Sequence, residues 1–374
     1  MTDLKTLPLD LLHRDLGAKM VPFAGYDMPV QYAAGVMKEH QHTRRAAGLF
    51  DVSHMGQVIL RGADYETAAL ALEALVPVNI AGLGRNRQRY GFFTNDQGGI
   101  LDDLMLANRG DHLFLVVNAA CKEADIAHLR THLPGDVLLE VIEDRALLAL
   151  QGPGAEAALA RLNPAVAEMK FMDVATVTLL GAEAWVSRSG YTGEDGYEIS
   201  VPAAVAEPLA RALLEDDTVL PIGLGARDSL RLEGGLCLYG HDIDAQTSPI
   251  EAGLGWAIQK IRRTGGARAG GFPGADRILS ELENGAPRAR VGLRPEGRAP
   301  MREGMPLFAS ETGGAAIGQV SSGGFGPTVQ GPVAMGYVPA DMARPGTTIY
   351  GEVRGKRLPV QVVALPFVPA NFKR

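Results

Sequence analysis

Apolar and polar positions alternate over residues 53–62 (SHMGQVILRG), predicting a strand, and residues 63–76 (ADYETAALALEALV) carry helical spacing. Three further strand-like runs follow at 87–95, 98–107 and 112–117, then a helical period over 119–133 and an extended DVLLEVIED over 136–144. The order β-α-β-β-β-α-β predicts an α+β module of ferredoxin-like type with one added strand, and it argues against a doubly wound sheet. Residues 146–162 then read as strand, turn and helix. Residues 205–216 and 223–235 read as helices, the second ending near Gly234-Gly235, and 272–285 as another. From about residue 288 the pattern changes to short β-like runs between Gly and Pro, such as RARVGL, AIGQVSSGG, VAMGYV, TTIYGEV and LPVQVVAL. That texture predicts a small all-β barrel or sandwich after a linker at 284–288.

The segment SRSGYTGEDGYEIS at 187–200 interrupts these patterns. It sets Gly190, Gly193 and Gly196 at every third position, with Tyr191, Thr192, Glu194 and Asp195 between them, and runs into a strand-like YEISV. Glycines at that density let a backbone pass close to a ligand, and polar groups on such a loop suit recognition. The spacing is not GxGxxG and no Lys-Ser or Lys-Thr pair follows, so a phosphate cradle is excluded. Glu194, Asp195 and Glu198 would suit a ligand that donates hydrogen bonds, such as a pterin or purine. The plainer alternative is a tight hairpin with a solvated acidic tip.

Two further clusters carry candidate chemistry. In DQGGILDDL (96–104) a strand following a Gly98-Gly99 turn places Asp102 and Asp103 on opposite faces, so only one can face a given pocket. A carboxylate in an apolar cleft has a raised pKa and can handle protons; a solvated turn is the alternative. Tyr90 and Asn118, at neighbouring strand positions, could hydrogen-bond within the same sheet. In GLGARDSLRLEGGLCLYGHDI the residue at the third glycine position of a dinucleotide fingerprint is Asp228, which defeats that reading. Arg227 and Arg231 stand at i and i+4 there, as a salt-bridged face or as a fork for a carbonyl or carboxylate.

Composition narrows the classes. The 374 residues are 46% hydrophobic and 21% charged, with 36 Lys+Arg against 43 Asp+Glu and a net charge of −7, so no general positive field attracts nucleic acid. Cys121 and Cys237 are too few for a disulfide framework, which suits a reducing compartment. The opening MTDLKTLPLDLLHRDLG has no leader-like pattern and no run reaches membrane-span length, so a cytoplasmic protein with no membrane partner is expected. His128 and His132 lie at i and i+4, but without the Glu of HExxH, and no metal is expected. The run KIRRTGGARAGG, with Lys260, Arg262, Arg263 and Arg268, is a basic loop that could steer an acidic partner or a polyglutamate tail.

Several blocks together resemble aminomethyltransferase, the T-protein family of the glycine cleavage system. They are GAKMVPFAGYDMPVQY (17–32), GLFDVSHMG (48–56), GGILDDL, ALLALQGP, SRSGYTGEDGYEIS, GLGARDSLRLEGGLCLYGHDID and AMGYVPADMARPGT, and they span nearly the whole chain in order. The resemblance implies an α+β, three-domain fold around a central folate site. Residues 1–283 would form the folate-binding region, with the ferredoxin-like module 53–143 set between 1–52 and 144–283, and 288–374 the C-terminal β-barrel. It implies transfer of an aminomethyl group from the lipoyl arm of the H-protein to tetrahydrofolate, with release of ammonia and formation of 5,10-methylenetetrahydrofolate.

Carried over by position, the resemblance makes Asp103 the essential acid. Tyr90, Asn118, Tyr191, Glu198 and Arg227 become folate-contacting residues, with Met55 and Trp256 as apolar walls. Leu236 stands where some relatives have tyrosine. Phe372, at the outer end of the folate site, also replaces a tyrosine and cannot donate its hydrogen bond. Two alternatives stay open: another folate-dependent demethylase of the same fold, and a non-enzymatic folate-binding iron–sulfur assembly factor. The latter group bears a KGCYxGQE-like block where this chain reads GGLCLYGHD, which makes Cys237 a small buried residue.

Overall fold

The structure, a computed structural model, describes residues 4–374; residues 1–3, part of the segment read above for a leader, lie outside the described residues. Helix α1 (Asp10–Asp15) precedes a hairpin, β1 (Lys19–Phe23) and β2 (Tyr26–Gln31), and helix α2 (Val36–Arg45) leads into β3 (Ala47–Asp51). The expected module follows: β4 (Gly56–Arg61), α3 (Tyr65–Glu73), β5 (Arg87–Thr94), β6 (Ile100–Asn108), β7 (Leu113–Val117), α4 (Lys122–His132) and β8 (Leu138–Ile142). Its strands pair antiparallel in the order β5-β6-β7-β4-β8. Asp64 starts α3 by accepting the backbone N–H of Thr67, which satisfies a donor the helix cannot.

The chain then returns through β9 (Arg145–Gln151), α5 (Ala155–Ala160), β10 (Val174–Leu179), β11 (Ala182–Ser187), β12 (Gly196–Pro202), α6 (Ala203–Leu214) and β13 (Val219–Pro221). With β3 these strands form a six-stranded sheet in the order β10-β11-β12-β9-β3-β13. Helices α7 (Leu224–Glu233) and α8 (Ala275–Asn284) precede β14 (Arg288–Pro295), β15 (Pro306–Phe308), β16 (Ala316–Gly326), β17 (Gly331–Pro339), β18 (Thr348–Val353) and β19 (Lys356–Val363). These six close into a barrel, which removes every open sheet edge.

Period-two alternation gives each sheet a helix face and an inner face. In the six-stranded sheet, Leu148 and Leu150 of β9 and Ile199 and Val201 of β12 pack with α5 and α6. Leu113, Leu115 and Val117 of β7 pack with α3 and α4 in the module. The intervening residues Phe50, Leu147, Ala149, Phe114 and Val116 form a separate cluster with Ala226 and Leu230 of α7. The inner faces of the two sheets and α7 therefore enclose the middle of the molecule, and whatever polar side chains alternate onto them meet there.

Helix α7 is clamped at both ends. At its start Glu39 accepts the N–H of Gly223 at 2.9 Å and that of Tyr32 at 2.6 Å. At its end Arg231 bonds Asp242 at 2.7 Å and Ser322 of the barrel at 3.0 Å. Glu233, fully buried, takes His40 at 3.0 Å, Arg44 at 3.2 Å and the backbone N–H of Thr328 at 2.8 Å. These partners hold its carboxyl down to about 2 although burial pushes it up. Because the pKa is depressed in the fold, this stabilisation is present above the ordinary value of 4.5 and is lost as pH falls from there to about 2.

Glu233→Ala strands a buried cation and an amide, and is expected to cost about 3–5 kcal/mol of stability. Chemical denaturation at neutral pH measures it; a loss under about 1 kcal/mol would show that the clasp is not what joins barrel to core.

Candidate active site

Asp103 lies on the inner face of β6, and Asp102, fully buried, points to the helix face, as alternation along the strand requires. Tyr90 on β5 sits opposite Met105, one diagonal step from Asp103, and its hydroxyl donates to Asp103 Oδ2 at 2.9 Å. Asn118, just beyond β7, donates from Nδ2 to Asp103 Oδ1 at 2.8 Å and to Asp102 Oδ1 at 2.9 Å. Its backbone N–H meets Asp102 Oδ2 at 3.1 Å. The carboxyl of Asp103 is raised to about 7, by burial first and by the charge of Asp102 second; the bonds from Tyr90 and Asn118 oppose the shift. A carboxyl poised there can hold or release a proton near neutrality. Trp256, 64% exposed, lies nearly parallel to Tyr90 with ring centres 5.6 Å apart, so an exposed aromatic roofs the acid.

The opposite wall carries charge of both signs. Glu198 alternates onto the inner face of β12, where its only side-chain partner is Ser189 Oγ at 3.1 Å, and burial raises its pKa despite the nearby Arg227. Arg227 projects from α7 over the ring of Tyr191, 4.8 Å from its centre. Its Nη1 is buried with no hydrogen-bond partner, and burial lowers its pKa. A guanidinium without a carboxylate or carbonyl in reach is a costly arrangement, and a bound acceptor would relieve it. Tyr191 is held by its hydroxyl, which donates to the carbonyl of Cys237. Met55 packs on the inner cluster with Met105 and Phe114. A cleft between the sheets, lined by Met105, Phe114, Val116, Leu147, Val186 and Glu198, continues this wall.

Several expectations from the sequence are corrected. Two of the glycines in 187–200 bring the backbone against protein: a Cβ on Gly190 would lie 1.8 Å from Gln151 Oε1, and one on Gly196 2.3 Å from the Leu150 carbonyl oxygen. Glu194 is no solvated tip. It is buried, pairing with Arg44 at 2.9 Å and Asn371 at 3.1 Å, while Asp195 binds Arg188. Only Glu198 of the three acids faces the cavity. Arg227 and Arg231 part company likewise, the second being spent on Asp242 and the barrel. Phe372 stacks on Phe171 at 4.0 Å, in a tail whose Asn371 N–H meets the carbonyl of Gly193 at 3.0 Å. The three arginines of the basic loop are internal wiring, while Lys260 is exposed: Arg262 bonds the carbonyls of Glu73 and Val76, Arg263 those of Ile258 and Gly255, and Arg268 the side chains of Glu73 and Asn79. His128 and His132 have rings 4.4 Å apart, but no group of three potential ligands is set to hold a metal among the described residues.

Missing from the reading of the sequence was Asp125, buried on α4 behind Asp102. It stands in KEAD, an ordinary helix start, and only the packing of α4 on the sheet reveals it.

Residues 9–262 match the GCVT N-terminal domain, and residues 288–369 match the glycine cleavage T-protein C-terminal barrel domain. The chain belongs to the glycine cleavage T-protein family. It is 43% identical over 389 residues to the mitochondrial aminomethyltransferase of Dictyostelium discoideum, across 100% of this chain and 94% of that protein. Identity to the mitochondrial aminomethyltransferase of Homo sapiens is 46% over 378 residues, across 99% and 91%. The crystal structure of glycine cleavage system aminomethyltransferase T from Bartonella henselae matches over 100% of both chains, with a TM-score of 0.92 at 45% identity. Membership in the T-protein family makes the chain an aminomethyltransferase of the glycine cleavage system, and the alternatives weighed from the sequence are not favoured. No helix among the described residues is long and apolar enough to cross a membrane.

In ¹³C-carboxyl titrations Asp103 is expected to show a midpoint of about 7. Tyr90→Phe removes a bond to the ionised form and should move that midpoint up by roughly one pH unit. A native midpoint near 4, the ordinary aspartate range, would contradict the environment described.

Proposed function

We propose that the chain accepts the aminomethyl group from the lipoyl arm of the H-protein, with release of ammonia, and delivers the one-carbon unit to tetrahydrofolate. The observation that carries this reading is the proximity of Glu198, short of donors, to Arg227, short of an acceptor. A pterin edge offers amino and ring N–H donors beside a carbonyl oxygen, the complement of that pair. When bound, tetrahydrofolate supplies the two amines, N5 and N10, that take up the carbon. Glu198 would accept from the pterin N–H groups and Arg227 would donate to its carbonyl, orienting the ring.

Asp103 acts from the other wall, where it can take a proton from the amine region or balance positive charge there. Tyr90 and Asn118 fix its two oxygens, and Trp256 and Met55 exclude water from either side. Tyr191 steadies Arg227, and Phe372 borders the outer end. The fold supplies no metal-binding constellation among the described residues, and the reading requires none. We assign no nucleic-acid or membrane partner. For the compartment, two free cysteines, one of them buried, suit a reducing interior. Cytoplasm is the assignment we make where no organelle is involved; the eukaryotic relatives are named as mitochondrial.

Ammonia release from aminomethyl-loaded H-protein, measured with and without tetrahydrofolate, tests the reaction: release should need the folate for full rate, and folate-independent or absent release would overturn the reading. Asp103→Asn should cut turnover by on the order of 10²-fold while folate binding persists. Glu198→Ala should weaken folate binding in a direct titration, and unchanged affinity would remove Glu198 from the pterin edge.

A further inference from the structure

Behind the sheet, on the side away from the cavity, a second carboxyl meets Asp102. Asp125 lies in the first turn of α4, 3% exposed, and its Oδ2 has no donor in the protein. Asp102 is fully buried, with 0% solvent accessibility. The two carboxyls are within hydrogen-bond reach of each other, and Cys121 adds a thiol to Asp102 from the helix start. Two buried carboxylates in contact cannot both stay ionised; one proton between them turns a repulsion into a short, charge-assisted hydrogen bond. No cation bonds either group, so a proton is the one neutralising element the site offers.

Asn118 carries this arrangement through the sheet. One side-chain nitrogen reaches Asp102 Oδ1 at 2.9 Å and Asp103 Oδ1 at 2.8 Å, and the backbone N–H also holds Asp102 at 3.1 Å. An amide nitrogen has two protons, one for each carboxylate. Asp102 therefore fixes the plane of the Asn118 amide, and the amide fixes Asp103. The charge on Asp102 also falls directly on Asp103, where it opposes ionisation.

We propose that Asp125 is a positioning residue of this enzyme: its carboxyl shares one proton with Asp102, and through Asn118 that pair sets the orientation and charge state of Asp103. The inference rests on the assignment of Asp103 as the acid of the site, and it adds a group on the far side of the sheet that touches no substrate. Burial, followed by the Asp102 charge, pushes the Asp125 carboxyl up to about 10, so the shared proton stays on the pair throughout the physiological range. Other titratable groups around the pair do not compete for it. Cys121 faces the pair from the start of α4 and Tyr239 from the segment after α7, while Tyr90, Tyr191 and Cys237 lie beside Asp103; burial raises all five and keeps them neutral.

The test uses the full chain labelled with ¹³C at aspartate carboxyls, so that the readout does not depend on turnover. At about pH 8.5, between the Asp103 midpoint of about 7 and the Asp125 value of about 10, the native protein should show a protonated aspartate carboxyl that persists in Asp103→Asn and vanishes in Asp125→Asn. The amide of Asp125→Asn can donate to Asp102 as the acid does, so the Asp103 midpoint should stay in place. Asp125→Ala removes the donor, Asp102 takes the proton itself, and the Asp103 midpoint should fall by roughly one pH unit as the opposing charge goes. A protonated carboxyl that survives Asp125→Asn at that pH, or an Asp103 midpoint that is the same in the native, Asn and Ala proteins, would overturn the proposal. Should Asp125→Ala not fold, the Asp125→Asn spectrum alone decides. Loss of folate-dependent transfer with these titrations intact would count against the reaction assigned above and not against the shared proton.

Discussion

Charge held away from water without a full set of protein partners is the constraint around which this molecule is arranged. Arg227 has a buried nitrogen with nothing to donate to, Glu198 has one hydroxyl, and Asp103 keeps its proton to about neutrality. Each is an expensive group to bury, and an ordinary fold would neutralise it or turn it to solvent. Here the surrounding sheets allow neither, because their inner faces are sealed by Phe50, Leu147, Phe114 and Val116. A ligand that brings donors to Glu198 and an acceptor to Arg227 is stabilised by relieving what the protein's own groups leave unsatisfied.

Rigidity elsewhere makes that possible. Helix α7 carries Arg227 toward the cavity while Arg231 and Glu233, one and nearly two turns on, fasten it to the barrel and to α2. Three acids that the sequence offers to a ligand are distributed by the same logic: Glu194 and Asp195 are consumed by arginines, and Glu198 is not. The C-terminal tail closes over the glycine-spaced loop through Asn371 and Lys373, so the loop is braced from both sides. Preorganisation of this kind lets a site orient two reactants without moving itself.

Much of this was legible in the chain. The module from β4 to β8 and the barrel announce themselves by period-two alternation and by Gly and Pro spacing; alternation along β6 puts one of Asp102 and Asp103 on the inner face, and the family resemblance picks Asp103. Helix α2 was not legible: its buried residues are Glu39, His40 and Thr43, so its inner face is polar and shows no apolar stripe. Strands β10 and β11 were missed for a different reason. They form a half-exposed edge hairpin turning at Leu180-Gly181, both with positive φ, and only the glycine advertises that turn. Spacing along the chain also cannot tell Arg227 from Arg231, or Glu198 from Glu194. Those distinctions arise from which neighbours arrive from distant segments, Arg44 and Asn371 for one acid, Asp242 and Ser322 for one arginine. The basic run at 260–268 divides for the same reason: Arg262 and Arg268 meet the end of α3, Arg263 meets the carbonyls of Ile258 and Gly255, and Lys260 stays exposed.

The family supplies the reaction, and on the proposed assignment the geometry gives each residue a place in it: one wall to read a heterocycle, one to manage a proton, and an aromatic roof between the site and solvent. The most direct measurement of that division is a crystal structure of the complex with tetrahydrofolate. The account predicts a pterin whose N–H edge meets Glu198, whose carbonyl meets Arg227, and whose N5 and N10 side faces Asp103. A pterin bound away from Glu198 and Arg227, or turned so that Asp103 lies far from both amines, would contradict it.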